Sequence, residues 1–150
     1  MYKKMLVPLD ASEHAECTLN HVKGVAMAHN VERIVLLNVV EPMRQPALAH
    51  FGTERAEELD RKAHESAREY LEKTKDRLGS SCAVHTEVVD GQPAAAILDY
   101  IEKNGIDLVI MSSHGHSGPS KWFIGSVAEK VLRRSPIPVF LIPSIACRFA

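Results

Sequence analysis

The sequence has almost no net charge: 18 Lys and Arg residues stand against 19 Asp and Glu, leaving −1. A nucleic-acid platform normally shows a basic face, so that class is set aside. No stretch approaches eighteen consecutive apolar residues, the length a membrane-spanning helix needs. Met1 to Asp10 hold one strand's worth of apolar residues and no signal-peptide core. The expectation is a cytoplasmic chain that engages neither nucleic acid nor membrane. Cysteine is scarce as well: Cys17, Cys82 and Cys147 form no C-x-x-C pair and read as three thiols, small apolar filler. Of eight histidines only His114 and His116 lie close together. H-x-H in a loop has too few ligands for zinc, so no protein-held metal is expected. Two catalytic signatures are also missing. There is no G-x-x-x-x-G-K-[ST], which excludes a Walker-type NTPase. Gly115-His116-Ser117-Gly118 places glycine one residue too early for a G-x-S-x-G nucleophile elbow.

What remains is the profile of one globular domain spanning 1–150: 45% hydrophobic, 25% charged. Lys4–Leu9 is a short apolar run. Asp10 and Ser12 supply helix-start chemistry, and Ala15, Leu19, Val22 and Ala26 repeat at helical spacing to about His29. Arg33–Val40 (RIVLLNVV) is apolar on both faces, as in a parallel sheet covered on both sides. Glu41–Thr53 is irregular. Glu54–Leu78 is a long helix with an inner stripe of Leu59, Ala63, Ala67, Tyr70, Leu71, Thr74 and Leu78. Glu57–Arg61, Glu58–Lys62 and Glu69–Lys73 are i,i+4 pairs on its solvated face. A strand over Cys82–Val89, a helix from Pro93 to Gly105, a strand over Ile106–Met111, a helix from Ser126 to Arg134 and a strand over Val139–Ile142 follow. This β-α alternation predicts an α/β fold, a doubly wound parallel sheet with helices on both faces. Ligands of such sheets sit beyond the carboxyl ends of the strands, where strand order reverses. The loops after the first and fourth strands, carrying Asp10 and Ser112–Ser126, are where to search.

Met111–Val127 reads MSSHGHSGPSKWFIGSV. Gly115 and Gly118 can take positive φ, and successive N–H groups in such a turn form an anion nest. Gly125 and Ser126 follow at the start of the next helix, where N–H groups and dipole favour an anion. Ser126 and Glu129 make S-x-x-E, a capping box. Lys121 is a candidate counter-charge. These features suit phosphate, and they equally suit a plain helix cap.

The opening VPLDASEHAE, the turn Gly91-Gln92-Pro93-Ala94 and the whole stretch Asp107–Ile142 resemble the universal stress protein family, over essentially the full chain. The family's pattern G-x2-G-x9-G-[ST] is matched at Gly115, nine intervening residues, Gly125 and Ser126. Its first glycine is Ser112 here. The resemblance implies five parallel strands in the order 3-2-1-4-5, a Rossmann-like fold akin to the adenine nucleotide alpha hydrolases. It implies an ATP, ADP or AMP site, with any magnesium or manganese carried by the nucleotide. By carry-over, Asp10 contacts the ribose or adenine, and Pro8, Leu9 and Val39 line the base. Gly115 and His116 approach the phosphates, with Gly125, Ser126 and Val127 on their far side. Met111, Ser112 and His114 complete the candidate set. The leading expectation is a nucleotide-binding stress-response module. The alternatives are a slow ATP hydrolase using His114 or His116 as base, and an interaction protein with a vestigial pocket. If Ser112 needs positive φ it strains the backbone; at negative φ it is harmless.

Val139-Phe140-Leu141-Ile142 is apolar on both faces and should form an edge strand with no charge to discourage pairing. A homodimer through this last strand is therefore expected, as the resemblance also implies.

Overall fold

The computed structural model describes residues 2–43, 52–79, 82–114 and 124–143. Its elements in chain order are β1 (Lys4–Pro8), α1 (Glu13–Glu16), α2 (Thr18–His29), β2 (Arg33–Val40) and α3 (Thr53–Leu78). They continue with β3 (Ala83–Asp90), α4 (Pro93–Asn104), β4 (Leu108–Ser112), α5 (Ser126–Arg134) and β5 (Val139–Ile142). The strands form one sheet in the order β3-β2-β1-β4-β5, and every pairing is parallel. This is the order the family resemblance implied.

Alternation along the strands divides the core. Met5, Val7, Ile34, Leu36, Leu108 and Ile110 point to one face, where they cluster with Leu19 and Val22 of α2 and Leu71 and Leu78 of α3. Leu6, Val35, Leu37, Val109 and Met111 point to the other, against Ile97 and Ile101 of α4 and Ala128 and Val131 of α5. Side chains of a strand alternate faces, so a strand apolar at every position must be covered twice. The central strands satisfy that reading, with Leu6, Leu36, Leu37, Val109 and Ile110 wholly buried.

Local chemistry places the helix ends. Pro93 opens α4 where no backbone N–H is needed, and Gly105 closes it in the left-handed region at φ 60°. The first helical stretch is two pieces rather than one, interrupted at Cys17. Thr18 Oγ donates to the Ala15 carbonyl at 2.6 Å, taking over an acceptor that a regular helix uses for its own ladder. Cys17 is disulfide-bonded, its partner lying outside the described residues, whereas Cys82 is a thiol. The expectation of three thiols is corrected here, because spacing in sequence says nothing of which sulfurs the fold brings within bonding reach.

The inner stripe of α3 also departs from expectation. Ala56, Ala67, Leu71, Thr74 and Leu78 are buried, but Ala63 is exposed and Leu59 only half-buried. Glu58–Lys62 and Glu69–Lys73 pair as expected, at 2.7 and 2.6 Å. Arg61 pairs forward with Glu65 instead of back with Glu57. In place of Ala63, His64 turns inward.

Both ring nitrogens of His64 face oxygen. Nδ1 lies 2.9 Å from the Asp60 carbonyl and Nε2 lies 2.8 Å from Asp90 Oδ1, at the end of β3. Only the imidazolium can donate to both. The Asp60 carbonyl, followed by the Asp90 carboxylate, therefore raises the His64 pKa above 6.5, against a partial loss of hydration. A group held protonated by the fold stabilises it at low pH. Its contribution is complete below about 6.5 and is lost as pH rises through the raised value. The stability difference between wild type and His64→Gln should shrink steadily between pH 6 and pH 9 in urea titrations. A difference that grows with pH would refute the clamp.

Candidate functional site

Strand order reverses between β1 and β4, and a cleft of about 510 Å³ opens at their carboxyl ends. Pockets for small molecules run about 300–1,000 Å³. The walls come from six elements and the turns that follow them, α1 giving Ala15. The end of β1 supplies Pro8, Leu9 and Asp10, and β2 supplies Leu37, Asn38 and Val39, with Glu41 just beyond. Pro93 and Ile97 come from α4, and Met111, Ser112, Ser113 and His114 from β4 and its exit. The first turn of α5, Gly125–Ala128, closes the far side. Every candidate residue within the described segments thus lies on one cleft; Gly115, His116 and Lys121 fall outside those segments.

The turn after β1 is held from several sides. Leu9 N–H donates to the Leu37 carbonyl at 2.8 Å, and Asn38 Nδ2 donates to the Leu9 carbonyl at 2.8 Å. Asp10 Oδ1 accepts from the backbone N–H of Ser12 at 3.0 Å and from its hydroxyl at 2.6 Å. Ser12 Oγ in turn accepts from Ala15 N–H at 3.1 Å, capping α1. Between them Ala11 adopts φ 63°, a left-handed conformation that strains a residue with a Cβ. Strain of this kind concentrates where a site dictates the backbone. Asn38 escaped the sequence reading. Its signal was there, the one polar residue among the seven that follow Arg33 in RIVLLNVV.

Across the cleft, Gly125 N–H donates to the Ser113 carbonyl at 2.7 Å, joining the start of α5 to the end of β4. Gly125, extended at φ −61° and ψ 150°, is the residue before the first helical turn, and no side chain caps the helix. The capping-box expectation is overturned: Ser126 is the first helical residue, and Glu129 pairs with Arg133 at 3.0 Å. The Ser126 hydroxyl is left exposed on the cleft wall.

Among the described residues, one group brings three metal-ligating side chains together: Asp60, His64 and Asp90, with donor atoms within 4.8 Å of one another. None of the three lines the cleft. The hydrogen bonds already described account for their proximity.

The universal stress protein family model matches residues 1–143. The chain belongs to the universal stress protein family. Universal stress protein MJ0577 of Methanocaldococcus jannaschii is 32% identical to it, with 95% of each chain covered. The solved structure of MJ0577 superposes with a TM-score of 0.82 over 95% of this chain and 96% of that one, at 34% identity. UspA of Lactobacillus plantarum superposes equally well, at 0.82 and 25% identity, covering 94% of this chain and 97% of its own. A more distant family member from Arabidopsis thaliana, solved with AMP bound, shares the fold at 0.65 and 16% identity, covering 93% and 90%.

Within this universal stress protein the Ser112 question has a structural answer. Ser112 ends β4 and is absent from the positive-φ positions, which among the described non-glycine residues are Ala11 and Asn30. Serine therefore costs no backbone strain there. The residue is 92% buried, and its hydroxyl donates to the His114 carbonyl at 2.6 Å.

With no cap to lose, Ser126→Ala should change stability by less than about 0.5 kcal/mol, the usual range for surface substitutions. If the hydroxyl meets a ligand, affinity should fall about three- to tenfold, the equivalent of one hydrogen bond of about 1 kcal/mol. Thermal unfolding and titration calorimetry on one preparation separate the two. An unchanged affinity removes Ser126 from the site.

Proposed function

We propose that this universal stress protein binds an adenine nucleotide, ATP, ADP or AMP, across the carboxyl ends of β1, β2 and β4, and acts as a dimeric stress-response module. The observation that carries this reading is the cleft at the strand-order reversal, apolar on the β2 side and faced by the open first turn of α5. Pro8, Leu9 and Val39 suit the flat apolar base. Asp10, already oriented through Ser12, suits the ribose hydroxyls. The N–H groups of Gly125, Ser126 and Val127 suit phosphate, because helix N-termini carry unpaired donors and a positive dipole end. Met111, Ser112 and His114 lie on the β4 wall between these parts, and Gly115 and His116 follow in sequence. Magnesium or manganese would arrive on the nucleotide. AMP bound to an Arabidopsis protein of this fold supports the ligand class. Protein purified without added nucleotide should release an adenine nucleotide on denaturation, identified by mass. Release of none, together with no calorimetric affinity for ATP, ADP or AMP, would overturn the proposal.

Dimerisation rests on the β5 edge. Val109 N–H bonds to the Pro138 carbonyl and Ser113 N–H to the Ile142 carbonyl, so these even-numbered positions face β4. By the alternation of a strand's backbone groups, Val139 and Leu141 turn theirs outward. Beside this edge, Leu132 of α5 and Phe140 are exposed at 43% and 37%. A second copy of the same edge would cover all of them. Phe140→Lys puts a charge on the edge, a device that opposes strand pairing. Sedimentation should show association weakened at least tenfold, with some stability lost with the edge-on Tyr2 contact at 6.1 Å. A wild-type monomer at micromolar concentration would end the dimer reading.

A further inference from the structure

Among the described residues, two buried side-chain polar atoms lack a hydrogen-bond partner, and one of them, Nε2 of His114, belongs to a cleft residue. The rest of this side chain is fixed. His114 is 91% buried, its Nδ1 lies 2.9 Å from Ser113 Oγ, and its carbonyl accepts from Ser112 Oγ. Buried polar groups are rarely left without partners, and one that is calls for an explanation such as a missing ligand.

Charge says which ligand state fits. The charged residues among those described along the cleft are both acidic, Asp10 after β1 and Glu41 after β2. Of the three helices that face it, α1 contributes Ala15, α4 Pro93 and Ile97, and α5 Ser126, Val127 and Ala128, none of them charged. No described lysine or arginine lines it. A phosphate brings further negative charge to a cleft whose described charged residues are already acidic. Histidine is the side chain whose ordinary titration lies close to neutrality.

We propose that His114 is a proton-linked phosphate contact: its ring takes a proton from solvent as a nucleotide binds, and Nε2–H donates to a phosphoryl oxygen. This rests on the nucleotide reading above. In the protonated ring both nitrogens are donors, so Nδ1–H is satisfied by Ser113 Oγ and Nε2–H by the ligand. The bond to phosphate is charge-assisted, which shortens and strengthens it. Linkage is reciprocal: if the proton strengthens nucleotide binding, the nucleotide strengthens proton binding by the same factor. Since the protonated protein is the tighter binder, affinity falls as pH rises. A universal stress protein of this design reports acidification through its nucleotide occupancy.

The test is calorimetric titration of ATP between pH 6 and 8.5, in buffers of different ionisation enthalpy, for wild type and His114→Gln. Wild-type affinity should fall about tenfold more steeply across this range than that of the variant, with net proton uptake. Titration of ATP's own phosphates is common to both proteins and cancels in the comparison. Equal slopes overturn the inference while leaving nucleotide binding intact. Absence of ATP binding at every pH overturns the nucleotide reading and this inference with it. Should His114→Gln not fold, the ring Cε1 proton resonance of His114 in wild type decides. Its titration midpoint should rise in saturating ATP and stay in place with adenosine, which has no phosphate. A midpoint unmoved by ATP refutes the proposal.

Discussion

Val39→Trp should reduce affinity for ATP, ADP and AMP alike by at least a hundredfold, about 2.7 kcal/mol of binding free energy. Val39 is half-buried near the end of β2, paired in register with Val89, and its side chain meets both the cleft and the core on the α4–α5 face. An indole there projects a large rigid body into the space assigned to the base. Because the added volume enters an open cleft rather than a packed interior, overpacking should cost less than about 1 kcal/mol of stability. Val39→Ala is the matching control, removing two methyl groups and leaving the cleft open. Calorimetry with each nucleotide, beside a thermal melt of each variant, checks both halves. Retention of affinity within about threefold in the tryptophan variant would move the base elsewhere.

Leu71→Ala should have the opposite profile, a large loss of stability with binding preserved. Leu71 is wholly buried in α3, in the cluster that contains Ile34 and Leu36 of β2. Truncating a buried leucine to alanine typically costs about 2–5 kcal/mol, the lost transfer energy plus the cavity left behind. No residue of α3 lines the cleft, so each folded molecule should bind nucleotide as before. Urea unfolding should show a lower midpoint at unchanged slope, the mark of altered stability rather than altered compactness. A loss below about 1 kcal/mol would mean that α3 can collapse onto the sheet and refill the space.

The two variants divide the protein as the sequence does. The element order, the parallel sheet and the cleft's position were legible from pattern alone. Runs such as RIVLLNVV are apolar on consecutive positions, and successive strand residues point to opposite faces. Both faces of the sheet therefore had to be covered, and helices between parallel strands can do so only with a right-handed crossover. Pro93 and Gly105 marked their helix ends for equally local reasons, a missing N–H and freedom at positive φ. The loops after β1 and β4 followed from connectivity, because a sheet that reverses strand order opens a crevice there. The strand order itself came from resemblance to the family.

Other features depend on contacts between residues distant in sequence, and only the tertiary structure decided them. Ser126 and Glu129 have the spacing of a capping box, yet Gly125 takes the cap position, its N–H bonded to the Ser113 carbonyl at the exit of β4, and Glu129 pairs with Arg133 instead. His64 turns inward where helical periodicity had placed Ala63, because Asp90 stands at the end of β3 to accept its hydrogen bond. Cys17 is in a disulfide and Cys82 is not; three thiols in a sequence look alike, and only proximity distinguishes them. Ser112 is compatible with its place because the fold holds it at the end of a strand, where φ suits any residue. Periodicity and local backbone preference act within a few residues of chain, so they can be read from the sequence. The partner of a polar atom is chosen by packing across elements, and it becomes known only when they are brought together.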